Sequence, residues 1–553
     1  MKKLTAIFLA MLMICSVFTA SYAGSGSKNE AVKPAAESRQ SEKGAEDGKA
    51  AKMSVKATPK SAGGAIDSKV TFKAAVQNAP SGKKASYQWE ISKDGGKTWS
   101  STSVKGSKTK KITVTVTKKG AGWQYRCTVK AGSKKAVSNA VSLFAVEAEA
   151  SAEKIDIGKK VTFTASEKNI GGNAAYQWEY CKKGGSTWSE VAGAAGSEAA
   201  LTVKTTAKNV NYRYRCKITG KKGEAYTNTV YVTPNPRYLA LVIANSNYTG
   251  SCNQLPSVAT DGTAMKKALA GYGWQVKLAK DLTAAKMEST IKSYFSGSLD
   301  TDTCLLYYSG HGDNSDGESA GSLVGVKYDY RGTYDLLYPE TLRDVLLKNT
   351  RGRVIVLLDS CGSGSLVLSK KGIKAEPVNK AGKAKNFTSS VMNAFSGCLD
   401  EGIVSNTGEL LQKRFSVLAA CAHEMTSDAA YFALRDGNVI MKSGSAFTVA
   451  LMRSMGCSYP GGSFGGKIPA DTNGDGKLTL SETYKGIKKT VSSMNNLLED
   501  YCEVEWDYTN YYWDTYHAYI YICYNEDGEE ILALPLDQEV QMGGTGTAVL
   551  FRK

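Results

Sequence analysis

Four landmarks recur along this chain at one constant offset, and that repetition constrains the fold more than any other feature. Tyr87-Gln88-Trp89 returns as Tyr176-Gln177-Trp178, Trp99 as Trp188, Tyr125-Arg126-Cys127 as Tyr214-Arg215-Cys216, and Asn139 as Asn228, each 89 residues on. A constant offset across four landmarks means two copies of one unit without internal insertion. Short runs in each copy alternate apolar and polar residues, as in Val70-Thr71-Phe72-Lys73-Ala74, between glycine-rich turns such as Asp94-Gly95-Gly96. That alternation predicts strands with one buried face, and about 90 residues of it predicts an all-β sandwich.

An early-strand Trp and a Tyr two residues before a late-strand Cys resemble the immunoglobulin fold, in which that Cys bridges the two sheets. Phe72 and Phe163 stand where its partner is expected. Cys127 and Cys216 therefore read as core residues, because a free thiol behaves as a small hydrophobe. The copies are assigned to two immunoglobulin-like domains at 53–145 and 146–234. They carry no catalytic constellation, and two roles stay open for them: a spacer, or a module binding a cell-wall or surface ligand.

Lys2 and Lys3 precede an apolar run over 4–18, and Ala20-Ser21-Tyr22-Ala23 offers small residues for cleavage. This predicts a signal peptide at 1–23 and a secreted or cell-surface protein. Cys15 lies inside the apolar run, which does not suit a lipoprotein cleavage site. Residues 24–52 are Gly, Ser, Ala, Lys and Glu with little to bury, and read as a flexible linker. No later apolar run is long enough to span a bilayer. The formal charge is +18; it is spread along the chain without an aromatic-interleaved basic stripe, which argues against nucleic acid and for attraction to anionic surfaces. One of the 12 Cys falls in the leader, and the odd remainder forms no CxxC pairs. Zinc ribbons and a regular disulfide framework are therefore unsupported.

Beyond Pro234-Asn235-Pro236 the periodicity changes. Apolar runs at 238–244, 304–308, 354–358 and 415–420 alternate with helical spacing at Met265, Ala268, Leu269 and Tyr272, at Met287, Ile291 and Tyr294, at Leu342, Val345 and Leu346, and over 446–455. Strand and helix in alternation predict a mainly parallel α/β sheet. Two of these strands run into polar, glycine-rich turns, Ser309-Gly310-His311-Gly312 and Asp359-Ser360-Cys361-Gly362-Ser363-Gly364. Sites in such sheets form at the carboxyl ends of strands, and neighbouring strands lie close enough to bring a thiol to an imidazole. Cys361 is the candidate nucleophile and His311 its acid/base partner. The amides of Gly312 and Cys361 are the candidate oxyanion donors, since glycine lets a backbone N–H approach the developing charge. The chain has only three His, at 311, 423 and 517.

Residues 237–553 resemble the caspase and metacaspase superfamily (clan CD) of cysteine peptidases, in a secreted bacterial form. The Tyr-Ser-Gly-His-Gly and Asp-Ser-Cys-Gly-Ser-Gly turns carry the resemblance, supported by the 239–243 strand, by Leu255-Pro256 ahead of Asp261, and by the spacing of 50 residues from His311 to Cys361. The resemblance implies a six-stranded caspase-like sheet and endopeptidase activity through a Cys361–His311 dyad. Caspases have Gln-Ala before the nucleophile, whereas Asp359-Ser360 here resembles metacaspases. In such relatives this Asp lines the pocket for the residue preceding the cleaved bond, which implies cleavage after Arg or Lys. Asp261 matches a second family Asp, and its other reading is a helix cap before Met265. The His that follows the nucleophile in metacaspases is Gly362 here.

Lysines 370, 371, 374, 380, 383, 385 and 413, with Arg414, follow the nucleophile turn. They read either as self-cleavage sites or as a solvated loop. Cys421 and His423 form a weaker second Cys-His pair, Ser416 and Glu424 are placed by position near the cleft, and His517 falls in a tyrosine-rich β pattern. Asp471-Thr472-Asn473-Gly474-Asp475-Gly476-Lys477-Leu478-Thr479-Leu480-Ser481-Glu482 fits the twelve-residue calcium loop. Asp471, Asn473, Asp475 and Glu482 would supply side-chain oxygens and Lys477 its carbonyl, for a structural Ca²⁺. No organic cofactor is expected. Other readings of the whole chain are an adhesion protein with an inactive peptidase-like domain, or a transpeptidase using the same acyl-enzyme.

Overall fold

The computed structural model of the chain describes residues 51–313, 321–329, 331–360, 402–404, 410–420, 430–506, 519–533, 536, 540–543 and 546–553. The expected signal peptide and all but the end of the linker lie outside them.

Both repeats are strand-rich units built around separate cores. In the first, the strands Ser54–Thr58, Lys69–Gln77 and Lys111–Thr115 form one sheet, which packs on a second sheet holding Ala85–Ser92 and Gln124–Ala131. Trp89 and Trp178 are fully buried at equivalent places, and their indole N–H groups donate to Thr109 and Glu198 carbonyls at 3.0 Å in both copies. Asn139 brackets the backbone of Ala57 as Asn228 brackets that of Ala148. The repeated landmarks are thus the buried groups whose polar atoms need a fixed partner. Phe72 stacks on Tyr125 and Phe163 on Tyr214 above the buried thiols Cys127 and Cys216, which form no disulfide. Burial pushes those thiols up to about 12 and about 11.

The two units share one strand, Val141–Ala150, and the division at 145/146 falls inside it. Its alternation serves both cores: Leu143 and Ala145 enter the first, Phe144, Val146 and Ala148 the second. Leu299 from the following region is buried in the second core, and Lys183 pairs with Asp300 there.

From residue 238 the chain builds a three-layer α/β unit. Its sheet contains β1 (Tyr238–Ala244), β2 (Gln275–Lys280), β3 (Thr303–Ser309), β4 (Arg353–Asp359), β5 (Phe415–Ala419) and β6 (Gln541–Gly543) in the order β2-β1-β3-β4-β5-β6. The first five are parallel and β6 runs antiparallel to β5. β4 is buried along its whole length, as a strand covered on both faces must be. Helices α1 (Pro256–Gly271), α4 (Ala446–Ser454) and α5 (Leu480–Tyr501) cover one face, while α2 (Ala284–Phe295) and α3 (Pro339–Asn349) cover the other. Among the described residues no helix is long and apolar enough to cross a membrane.

Gly262 sets how closely α1 approaches the sheet. A Cβ there would lie 2.6 Å from the Cβ of Ala244, which is fixed to the strand backbone and cannot swing away, and 3.3 Å from a Leu278 methyl. Gly262→Ala should therefore destabilise by about 1–3 kcal/mol through overpacking, outweighing the roughly 1 kcal/mol of helix propensity that alanine adds. Thermal unfolding checks this; an unchanged or raised midpoint would show that α1 has room to move.

Candidate active site

The order of β2-β1 against β3-β4 reverses between β1 and β3, and the crevice beyond strand ends at such a switch is where open α/β sheets bind ligands. The carboxyl ends of β3 and β4 are level there, with Ser309 across from Asp359. Gly310 turns the chain out of β3. Its φ is 154°, and a Cβ would come 2.8 Å from the hydroxyls of both Tyr248 and Tyr308.

Beyond it, His311 is held at three atoms. Its backbone N–H donates to the Tyr248 hydroxyl at 2.8 Å, its carbonyl accepts from the Tyr308 hydroxyl at 2.7 Å, and ring Nε2 lies 2.9 Å from the Asn253 carbonyl oxygen. A carbonyl only accepts, so Nε2 carries the proton and Nδ1 keeps the lone pair of a base. Burial holds the imidazole below its usual range, against the opposing pull of the Asn253 carbonyl. Gly312 bridges to Leu323, with the ladder bonds made by its neighbours: Val324 N–H to His311 oxygen, and Asp313 N–H to Ser322 oxygen. That alternation turns the Gly312 N–H away from Leu323.

Asp359 and Asp261 meet on the α1/α4 side of the same strand ends. Both are essentially inaccessible, at 3% and 0% exposure. The Thr448 hydroxyl donates to Asp359 at 2.6 Å and contacts the Tyr307 hydroxyl at 2.6 Å. Asp261 accepts from the Tyr459 hydroxyl at 2.7 Å and from the Ser445 N–H at 3.2 Å. Burial, and then the charge of Asp359, push Asp261 up to about 8. Two carboxyls so placed cannot both ionise cheaply at neutral pH. Asp261 sits inside α1, whose N-cap position is Leu255, so the helix-cap reading of this residue is overturned. Ser416 is buried near the amino end of β5, opposite Ile355 and away from these strand ends, which corrects its placement near the cleft.

The described chain stops at Ser360 and resumes at 402. Cys361, Gly362, Lys370 to Lys385, Cys421, His423, Glu424 and His517 lie outside it. Tyr248, Asn253, Thr448 and Tyr459 were not foreseen from sequence. Asn253 acts through its backbone, which no residue identity announces, whereas Asn245-Ser246-Asn247-Tyr248 directly after β1 was a readable sign of a structured polar loop.

The 471–482 loop folds on its own side chains. Asp471 accepts from the N–H groups of Gly474, Asp475 and Gly476, Asn473 from Asp475, and Asp475 from Lys477. Glu482 closes a capping box with Thr479 at the start of α5 and also accepts from Thr472. The all-oxygen donor set suits a hard cation. As placed, however, Glu482 is committed to Thr479 and Thr472, and among the described residues no three His, Cys, Asp or Glu converge on one point. Holding calcium requires Glu482 to turn into the loop.

The sheet order, the histidine turn and the carboxylate pair define a caspase-like α/β unit. Comparison agrees: residues 237–502 match the caspase-domain family, which supports a caspase-like clan CD cysteine peptidase in this segment. No curated protein matches the chain. Among solved structures it is similar to caspase-1 from Spodoptera frugiperda, at 11% identity and a TM-score of 0.31, over 57% of this chain and 88% of that one.

Proposed function

We propose that the protein is an exported cysteine endopeptidase that cleaves after Arg or Lys, with Cys361 as nucleophile and His311 as acid/base. The observation that carries the reading is the buried Asp261–Asp359 pair, which stands at the level of the strand end leading into Cys361. Nδ1 of His311 takes the thiol proton, the thiolate attacks the scissile carbonyl, and the oxyanion accepts hydrogen bonds from the Gly312 and Cys361 amides. The imidazolium then protonates the leaving amine. Water, deprotonated at the same Nδ1, releases the acid from the thioester. The Asn253 carbonyl keeps the ring in the tautomer this cycle needs. An arginine or lysine side chain entering the carboxylate pocket meets one charge and one protonated carboxyl, and displaces that proton. A panel of fluorogenic peptides with Arg, Lys, Asp or Asn before the bond tests this: preference for Arg and Lys is expected, and preference for Asp overturns the pocket.

The β units are read as immunoglobulin-like modules that hold the enzyme at a surface ligand. Calcium, in this reading, sits in the 471–482 loop on Asp471, Asn473, Asp475, the Lys477 carbonyl and Glu482. It would neutralise that cluster and brace the start of α5. At about 100-fold excess over its dissociation constant, a bound ion adds about 2.7 kcal/mol to stability. Chelation should therefore lower the thermal midpoint of the wild-type chain and leave Asp475→Asn unmoved. Identical midpoints with calcium and with chelator would remove the site.

A further inference from the structure

The first β unit contains a cavity of 540 Å³ that the peptidase reading does not use. It opens between the two sheets beside the edge strand Lys111–Thr115. Ile91, Val104, Trp123 and Tyr125 form its apolar lining, Thr113, Thr115 and Thr117 border it, and Lys69 and Lys105 bring its charges. No carboxylate lines it. Lys93 Nζ stands 5.0 Å from the Trp123 ring centre and adds a third cation beside the opening.

The second copy serves as an internal control. Eighty-nine residues on, Ile91 becomes Tyr180, Trp123 becomes Tyr212 and Lys105 becomes Ala194, while the strand that carries Lys69 is offset by 91 and places Lys160 at its position. Tyr180 and Tyr212 lie face to face, with ring centres 5.4 Å apart and planes within 6°. The same fold position therefore carries a stacked tyrosine pair in one copy and an open, tryptophan-lined groove with Lys105 in the other, while a lysine holds the Lys69 position in both. Packing the sandwich does not require the groove, since the second unit folds on the filled version.

We propose that this groove of the first unit binds an acidic oligosaccharide. An indole face suits the C–H face of a sugar ring, and the lysines suit uronate or sulfate groups. An acidic peptide is disfavoured on the same ground that makes the groove accessible only to side-chain recognition. The outward N–H of Thr113 already donates to the Lys105 carbonyl at 3.2 Å, so the edge strand is covered against strand addition. The inference rests on the reading of the β units as ligand-binding modules and names the copy, the groove and the ligand chemistry.

The test uses full-length Cys361→Ala protein and calorimetry with a galacturonate oligosaccharide, a neutral glucose oligosaccharide of equal length, and an oligoglutamate peptide. Binding of the galacturonate alone is expected, weakened about tenfold or more by Trp123→Ala and by Lys69→Ser with Lys105→Ser, each equivalent to about 1.4 kcal/mol or more. Ile91→Tyr with Trp123→Tyr, which copies the second unit and keeps the core filled, should abolish it, while Tyr212→Ala should not change it. Equal binding of the neutral sugar, preferential binding of the peptide, or no binding of any probe overturns the proposal. Galacturonate binding that ignores all groove variants also overturns it, yet leaves the surface-ligand reading of the modules standing.

Discussion

Cys361→Ala is expected to bring peptide cleavage to background, a loss of at least about 10⁴-fold, and His311→Ala to do nearly the same. The double variant should be no worse than either single one, because nucleophile and base act as one unit. His311 is fixed by the Tyr248 hydroxyl, the Tyr308 hydroxyl and the Asn253 carbonyl, so its replacement removes the base without disturbing the strands that carry it. Burial lowers the imidazole below its usual value. The neutral base therefore persists to lower pH, and the acid limb of kcat/KM should lie below about 6.5, the unperturbed imidazole value. A midpoint above that value would mean another group governs the limb, and full activity in His311→Ala would remove the dyad.

The second large effect concerns the carboxylate pair. Asp359→Asn should lower kcat/KM for an Arg substrate by about 10²–10³-fold, since losing one partner of a desolvated charge pair costs about 2–5 kcal/mol. Reaction of the thiol with a small uncharged alkylating agent should stay unchanged, which separates a specificity loss from a collapsed site. Asp261→Asn tests the same pocket through pH. Asp261 faces Asp359 from β4, Tyr459, Tyr307 from β3, and Tyr431, and is pushed up to about 8. Below that pH the empty pocket holds a proton that a cationic side chain must expel. KM for Arg substrates should accordingly fall as pH rises toward 8, and this slope should vanish in Asp261→Asn. A KM flat with pH in the wild-type chain would show that the pair does not receive the cation.

The repeat, the alternation of strand and helix and the histidine turn were legible in sequence because each is local: a fixed offset, a period, a run of small residues between a strand and a polar loop. Long-range accidents of packing were not. The strand Val141–Ala150 reads as the end of one unit and the start of another, yet its alternation lets one strand face two cores. Asp261 reads equally as a cap or a pocket residue until α1 is seen to begin at Pro256, five residues earlier. Thr448 and Tyr459 reach the carboxylates from segments nearly two hundred residues away from α1, and no spacing rule connects them. The calcium motif shows the converse: the sequence pattern is complete, while the folded loop engages Glu482 elsewhere.

The central claim is that Cys361 is a nucleophile served by an acidic pocket, and covalent capture tests it most directly. The full-length chain would be treated with matched peptidyl acyloxymethylketones bearing Arg or Asp next to the reactive group, and the modified residue mapped by mass spectrometry. The account predicts one adduct, on Cys361, formed by the Arg reagent and suppressed in both His311→Ala and Asp359→Asn. Labelling of another cysteine, or faster capture by the Asp reagent, would contradict it.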